Sequence, residues 1–181
     1  MKIRLAVPND CKAIRQLSLD YSIDRFSDEI SGFVDFQTPS EDEYALRINS
    51  NSFFYVAEFN GEVIGFISGY NSTQLKKLNS NNDPIKSRVL LNGNNLVYIE
   101  QLAVTVQFRR RRVGSSLLAK LISVANQLWI SEIFGVVSLS PKLNQSSLEL
   151  LLKSGFILCD DTTVNDLTFG VYYQHLSRKY V

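Results

Sequence analysis

At 181 residues, with 45% hydrophobic and 11% aromatic side chains, the chain has a globular composition and enough length to bury a core, which argues against disorder. A formal net charge of +1, from 19 basic and 18 acidic residues, gives no global reason to bind nucleic acid or a membrane. There is no membrane-length apolar run, residues 1–5 lack the apolar core of a signal peptide, and the two cysteines, Cys11 and Cys159, make neither a disulfide framework nor a metal cluster. A single domain spanning residues 1–181 in a reducing, cytoplasmic setting is expected, with both cysteines acting as small buried hydrophobes.

Residues 3–7 alternate apolar and charged side chains and predict a first strand. Pro8, Asn9 and Asp10 supply turn chemistry and a helix cap, and Ile14, Leu17 and Tyr21 recur behind them at helical spacing. Residues 22–40 carry no readable period. Residues 41–49 predict a short helix with Tyr44, Ala45 and Ile48 on one side. Two β-rich runs, 53–59 and 63–70, flank Asn60-Gly61, the pair best suited to a type I′ hairpin turn. Residues 71–95 are rich in Asn, Ser, Lys and Gly and read as a long loop, with a short helix or strand near 88–91.

A strand follows at 96–106, then a helix at 113–130 whose apolar stripe is Val113, Leu117, Leu121, Val124, Ala125 and Leu128. Residues 134–139 form a continuous apolar run expected to be a buried strand, broken by Pro141. Ser146-x-x-Glu149 has the pattern of a capping box opening another helix, and Gly155 follows that helix as a C-terminal glycine should. Runs at 156–158 and 167–176 are the last strands, a hairpin across 160–166. Hairpins mixed with strand–helix–strand crossovers predict an α/β (α+β) fold, with a mixed, mostly antiparallel sheet of about seven strands and helices on both faces.

The stretch Arg109-Arg110-Arg111-Arg112-Val113-Gly114-Ser115 lies at the turn between the 96–106 strand and the 113–130 helix. A helix N-terminus presents unpaired N–H groups and partial positive charge. Guanidinium groups match phosphate oxygens, and Gly114 lets backbone come close to a ligand. Taken alone, an Arg run is more often a solvated basic face. At a strand-to-helix turn it reads as a phosphate cradle built from residues 110–115.

With its flanks, Leu102-Ala103-Val104-Thr105-Val106-Gln107-Phe108 through Leu118, this stretch resembles the acetyl-CoA motif of the GCN5-related N-acetyltransferase (GNAT) family, Gln/Arg-x-x-Gly-x-Gly/Ala. Arg109 matches the first position and Gly114 the last. Arg112 stands where the first glycine is usual, and Val106 where proline is common. If that position requires a positive φ, arginine there costs about 1–2 kcal/mol. The resemblance runs from Ile3 to about Leu176. It implies a GNAT fold in which the fourth and fifth strands splay apart around the pantetheine arm of acetyl-CoA, used as a cosubstrate without a metal. It also implies that the backbones of Leu102, Ala103 and Val104 pair with pantetheine, while Arg109, Arg110, Arg111, Arg112, Val113, Gly114 and Ser115 surround the pyrophosphate, with one or two of the arginines engaged.

Acetyl transfer to an amine needs a base, stabilisation of the thioester oxygen and a proton for the thiolate. Glu100, amid Tyr98, Ile99, Gln101 and Leu102, is the candidate base; apolar neighbours would raise its pKa, whereas an exposed or ion-paired strand position is the plainer reading. Leu151 occupies the place of the family's usual acid, a tyrosine, which leaves water, Tyr172 or Tyr173. Asn144 contacts the cofactor or caps a helix. His175, the single histidine, has no metal or nucleophile partner, and Ser115 and Ser116 suit helix-start donors better than nucleophiles.

The resemblance thus implies an N-acetyltransferase acting on a primary amine of a small molecule or protein, or a non-catalytic acyl-CoA-binding domain on the same fold. Nucleic acid and membranes are not expected as partners, and a homodimer is left open. Substrate selection would fall to residues 22–52, 71–95 and the last hairpin. The acids Asp24, Asp28, Glu29, Asp35, Glu41, Asp42 and Glu43 suit a cationic acceptor or simply a solvated surface.

Overall fold

Asn60 and Gly61 take φ angles of 51° and 83°, the left-handed pair that a type I′ turn needs to match the twist of its strands. They join β2 (Phe54–Phe59) to β3 (Glu62–Asn71), paired antiparallel from Phe54↔Ser68 to Phe59↔Glu62. The structure, a computed structural model, describes residues 1–21, 38–49, 51–78 and 83–176. The other elements are β1 (Lys2–Leu5), α1 (Cys11–Asp20), α2 (Glu41–Asn49), α3 (Ser72–Leu78), α4 (Pro84–Asn92), β4 (Leu96–Val104), α5 (Val113–Gln127), β5 (Glu132–Ser140), α6 (Gln145–Lys153), β6 (Ile157–Val164) and β7 (Leu167–His175). The seven strands form one mixed, mostly antiparallel sheet in the order β1-β2-β3-β4-β5-β7-β6, as expected.

Two compact units share the strands β3 and β4 and the helix α5. The first comprises Met1–Ser68 with Gln101–Leu121. Phe54, Val56, Phe66 and Ala103 pack there with Ile14 and Leu17 of α1 and Tyr44 and Ile48 of α2. Alternation turns Tyr55 to the other face, where Lys120 of α5 lies 5.7 Å from its ring centroid. Fully buried Tyr44 hydrogen-bonds with Ser18 Oγ at 2.7 Å and donates to Gln101 Oε1 at 2.9 Å, tying both helices to β4. Ser40 and Glu43 cap α2 reciprocally, Ser40 N–H donating to the carboxylate and Glu43 N–H to the hydroxyl. Exposed Glu41, Asp42 and Glu43 form the first turn of that helix, where negative charge is favourable. Asp10 does not cap α1 with its side chain. Its buried carboxylate accepts from the Arg4 guanidinium at 2.7 and 2.9 Å and from Val7 N–H at 2.8 Å.

The second unit comprises Gly69–Glu100 with Ile122–Val181. Here β4 pairs in parallel with β5 from Leu96↔Glu132 to Ile99↔Gly135, β5 pairs antiparallel with β7, and β7 with β6. Tyr70, Leu75, Val89, Leu96, Tyr98, Phe134 and Val171 form one core under α3 and α4, while Leu151 of α6 lies against Gly135 from the other face.

Residues 71–95 are not a long loop. Asn71 and Gln74 cap α3 by exchanging backbone–side-chain hydrogen bonds at 2.9 and 3.0 Å. Asp83 caps α4 by accepting from Ile85 and Lys86 N–H, with Pro84 at the first helical position. The polar composition reflects exposed faces, and Leu75 and Val89, both fully buried, supply the apolar anchors. The last hairpin also differs from its expectation. β6 runs to Val164, and the turn is Asn165-Asp166, both left-handed at 49° and 64°. Cys11 is buried as expected, but Cys159 is exposed on β6, its thiol donating to the Val171 carbonyl.

Candidate active site

β4 ends at Val104. Thr105 N–H donates to Ile64 O at 2.9 Å, a 3-10 turn follows at Val106–Phe108, and α5 begins at Val113. The first helical hydrogen bond is from Ser116 N–H to Arg112 O at 2.9 Å. Helix geometry therefore leaves the N–H groups of Arg112, Val113, Gly114 and Ser115 without intrahelical acceptors. The connection into this helix start is made by left-handed residues: Arg110 has φ 58° and Arg112 φ 64°. The usual motif glycine is thus replaced by arginine at a position that does need positive φ, at a cost of about 1–2 kcal/mol.

The four arginines divide into two pairs. The Arg109 guanidinium lies 4.6 Å from the Tyr21 ring centroid and its Nε donates to Val104 O at 3.3 Å, while the Tyr21 hydroxyl accepts from Val106 N–H at 3.0 Å. Arg111 stacks at 5.7 Å over Phe108, which itself packs on Phe59. These two pin the loop to its own unit. All four arginines are exposed, and Arg110 and Arg112 are the two left-handed residues flanking Arg111. A helix start with four N–H groups lacking intrahelical acceptors, beside exposed guanidiniums, fits a pyrophosphate, the group that acetyl-CoA would place there.

Leu102 and Val104 are half-buried and Ala103 is buried. The parallel ladder to β5 covers only Leu96–Ile99 of β4, which continues to Val104. The Ala103 carbonyl lies 2.7 Å from where a Cβ would stand on Gly65, so that glycine allows β3 to run close by.

In the second unit, the Glu100 side chain is 13% exposed, and Oε1 lies 3.6 Å from the Lys86 ammonium of α4. The apolar surroundings expected for this carboxylate include a cation, contributed from α4, a segment read from the sequence as loop. Lys86 also donates to Asp83 Oδ2 at 3.0 Å. Burial works to raise the Asp83 carboxyl, but the backbone N–H and ammonium of Lys86 outweigh it and hold it below the usual range.

Asn144 is the N-cap of α6, its side chain accepting from Ser147 N–H at 3.1 Å. Ser146 and Glu149 therefore form no capping box. Leu151 is 7% exposed and hydrocarbon fills its place. Tyr172 is buried, which pushes its phenol up, and Tyr173 stacks on Phe134 at 5.9 Å. His175 and Ser115 are exposed. Among the described residues, no group of three or more His, Cys, Asp or Glu side chains could hold a metal ion, and no helix is long and apolar enough to cross a membrane.

Fold and motif together define a GNAT protein, and comparison with known proteins agrees. The profile of the Acetyltransferase (GNAT) family matches residues 14–156, and the chain belongs to that family. No curated protein matches the sequence. Similar solved structures include an N-acetyltransferase from Staphylococcus aureus Mu50, 20% identical with a TM-score of 0.71, covering 97% of this chain and 98% of that one. Another is yncA of Salmonella typhimurium with its cofactor acetyl-CoA, 17% identical, TM-score 0.69, covering 100% and 96%. A third is the ribosomal-protein-S18-alanine N-acetyltransferase of Escherichia coli, 13% identical, TM-score 0.65, covering 99% and 97%. At these identities the likeness is one of fold. Acetyl transfer is the chemistry that family membership supports.

Proposed function

We propose that the protein is a cytoplasmic N-acetyltransferase that moves the acetyl group of acetyl-CoA directly to a primary amine of a small molecule or protein, and that residues 1–181 form one catalytic domain. The observation that carries this reading is the start of α5. The N–H groups of Arg112, Val113, Gly114 and Ser115, which lack intrahelical acceptors and are reached through left-handed Arg110 and Arg112, provide the donors and charge a pyrophosphate requires. The backbone of Leu102–Val104 would hold pantetheine, and Arg109 and Arg111 would keep the loop in shape.

Glu100 is the proposed base. The acceptor nitrogen attacks the thioester carbonyl, the N–C bond forms and the C–S bond breaks. The ammonium proton passes to the Glu100 carboxylate, directly or through water, and the thiolate is protonated from water, since Leu151 has no proton to give. Asn144, the cap of α6, would contact the cofactor as the family resemblance implies. Acetyl transfer by purified protein over a panel of primary amines, wild type against Glu100→Gln, tests the reading. A loss of roughly a hundredfold in turnover with CoA affinity kept is expected. Full activity of the variant would remove Glu100 from the chemistry.

A second reading, an acyl-CoA-binding domain without transferase activity, is favoured by one observation: Leu151 fills the tyrosine position with buried hydrocarbon. CoA binding with no transfer to any amine would select it.

A further inference from the structure

Lys86 is a partly buried cation of the second unit, set between two carboxylates. Its ammonium is 18% exposed at the side-chain level and leans on a carboxylate that is itself 13% exposed. Burying a cation part-way has a desolvation cost, and helix α4 does not need this one for its attachment. The helix is held by fully buried Val89 and by Arg88 Nε, 2.6 Å from Asp160 Oδ2 on β6. Nor is Glu100 the main partner of Lys86. The hydrogen bond goes to Asp83 at 3.0 Å, and 3.6 Å to Glu100 is beyond hydrogen-bond reach.

We propose that the Lys86 ammonium stands at Glu100 in the place of the acceptor's own ammonium, and that the acceptor is a primary amine on an unbranched alkyl chain which displaces it. This rests on the reading of Glu100 as the carboxylate that meets the acceptor. The arrangement suits displacement. Lys86 can give up Glu100 while keeping Asp83, so neither the leaving cation nor the carboxylate is stranded without a counter-charge. The slender four-carbon chain of Lys86 defines what reaches the carboxylate: a terminal ammonium with methylenes behind it. An α-amine on a branched carbon has no such shape.

The test is a titration of the full-length protein with n-butylammonium chloride at neutral pH, read by the NMR shift of the Glu100 carboxylate carbon, alongside CoA binding read by thermal shift. Lys86→Met removes the competitor and should tighten n-butylammonium roughly tenfold, a single charge-pair effect. Lys86→Arg keeps the charge and should leave it at the wild-type level. Asp83→Asn keeps a good helix cap but releases Lys86 onto Glu100, and should weaken it. Glu100→Gln in the Lys86→Met background, followed through neighbouring Gln101, should abolish it. Alanine amide should bind more weakly throughout.

Equal affinity in wild type and Lys86→Met, no perturbation of Glu100, or a preference for alanine amide overturns the inference. Should Lys86→Met fail to fold, the opposite-sign effect of Asp83→Asn decides. A protein that binds CoA yet shows no competition refutes this inference alone, whereas failure to bind CoA refutes the acetyltransferase reading beneath it.

Discussion

Replacing Arg112 by glycine should move stability and cofactor affinity in opposite directions. At φ 64° the arginine backbone sits in the left-handed region, which costs about 1–2 kcal/mol for a residue with a Cβ. Glycine relieves that strain but gains freedom in the unfolded chain, worth about 0.5–1 kcal/mol against folding. At the middle of both ranges the balance favours the variant by about 0.75 kcal/mol. For a chain of this length, that is an increase of about 1–4 °C in Tm. The same change removes one of the exposed guanidiniums at the start of α5. A hydrogen bond to a charged group is worth about 1.5–3 kcal/mol, so CoA should bind at least about tenfold more weakly. Differential scanning calorimetry and titration calorimetry read the two effects on one preparation. A less stable variant would show that the Arg112 side chain supports the native loop. Unchanged CoA affinity would show that its guanidinium does not meet the phosphates.

Gly114→Asp should fold and lose CoA binding, because a carboxylate at the second residue of α5 repels the pyrophosphate; retained binding would place the phosphates elsewhere. Asp10 should make the protein acid-sensitive. Burial raises its carboxyl, but the Arg4 guanidinium and Val7 N–H overcome this and hold it below the ordinary 3.8. A depressed folded-state pKa means that the stabilisation is full above the unfolded value and fades as pH falls through the folded one. Wild type should therefore lose stability below about pH 4, while Asp10→Asn, less stable at neutral pH, should show a flatter acid limb in urea melts. Removing the surface pair Lys153–Glu149, four residues apart on α6, should change stability by no more than about 0.5 kcal/mol in a double-mutant cycle.

The parts of the fold legible in the sequence are those set by local chemistry. Asn60-Gly61 dictated its turn. Of the expected stripe, Val113, Leu117, Leu121 and Ala125 form the buried face of α5, each at most 2% exposed, whereas Val124 is half-buried and Leu128 lies past the helix end at Gln127, 49% exposed. Gly155, at φ 86°, ends α6 with Gly155 and Phe156 N–H bonding back to Leu152 and Leu151. The sequence is ambiguous where two signals compete. Around residues 71–95 the Asn and Ser content suggested a loop, yet the spacing Asn71-x-x-Gln74 and the pair Asp83-Pro84 were helix-start signals in plain view. Ser146-x-x-Glu149 masked the better cap, Asn144. β6 was read short because Asp160 and Asp161 look like turn residues; pairing with β7 and the Arg88–Asp160 contact hold that stretch extended. The motif arginines were legible as a group, but not their division, because Tyr21 lies far from Arg109 in sequence. Lys86 is illegible for a different reason. Its relation to Glu100 exists only once α4 is a helix.

Acetyl-CoA binding at the start of α5 can be followed by mapping backbone amide shifts as acetyl-CoA is titrated in. The largest changes should fall at Arg110–Ser115 and along Leu102–Val104, together with a rise in Tm of the protein at saturating cofactor. Silence of those amides at millimolar acetyl-CoA, or shifts confined to other elements, would contradict it.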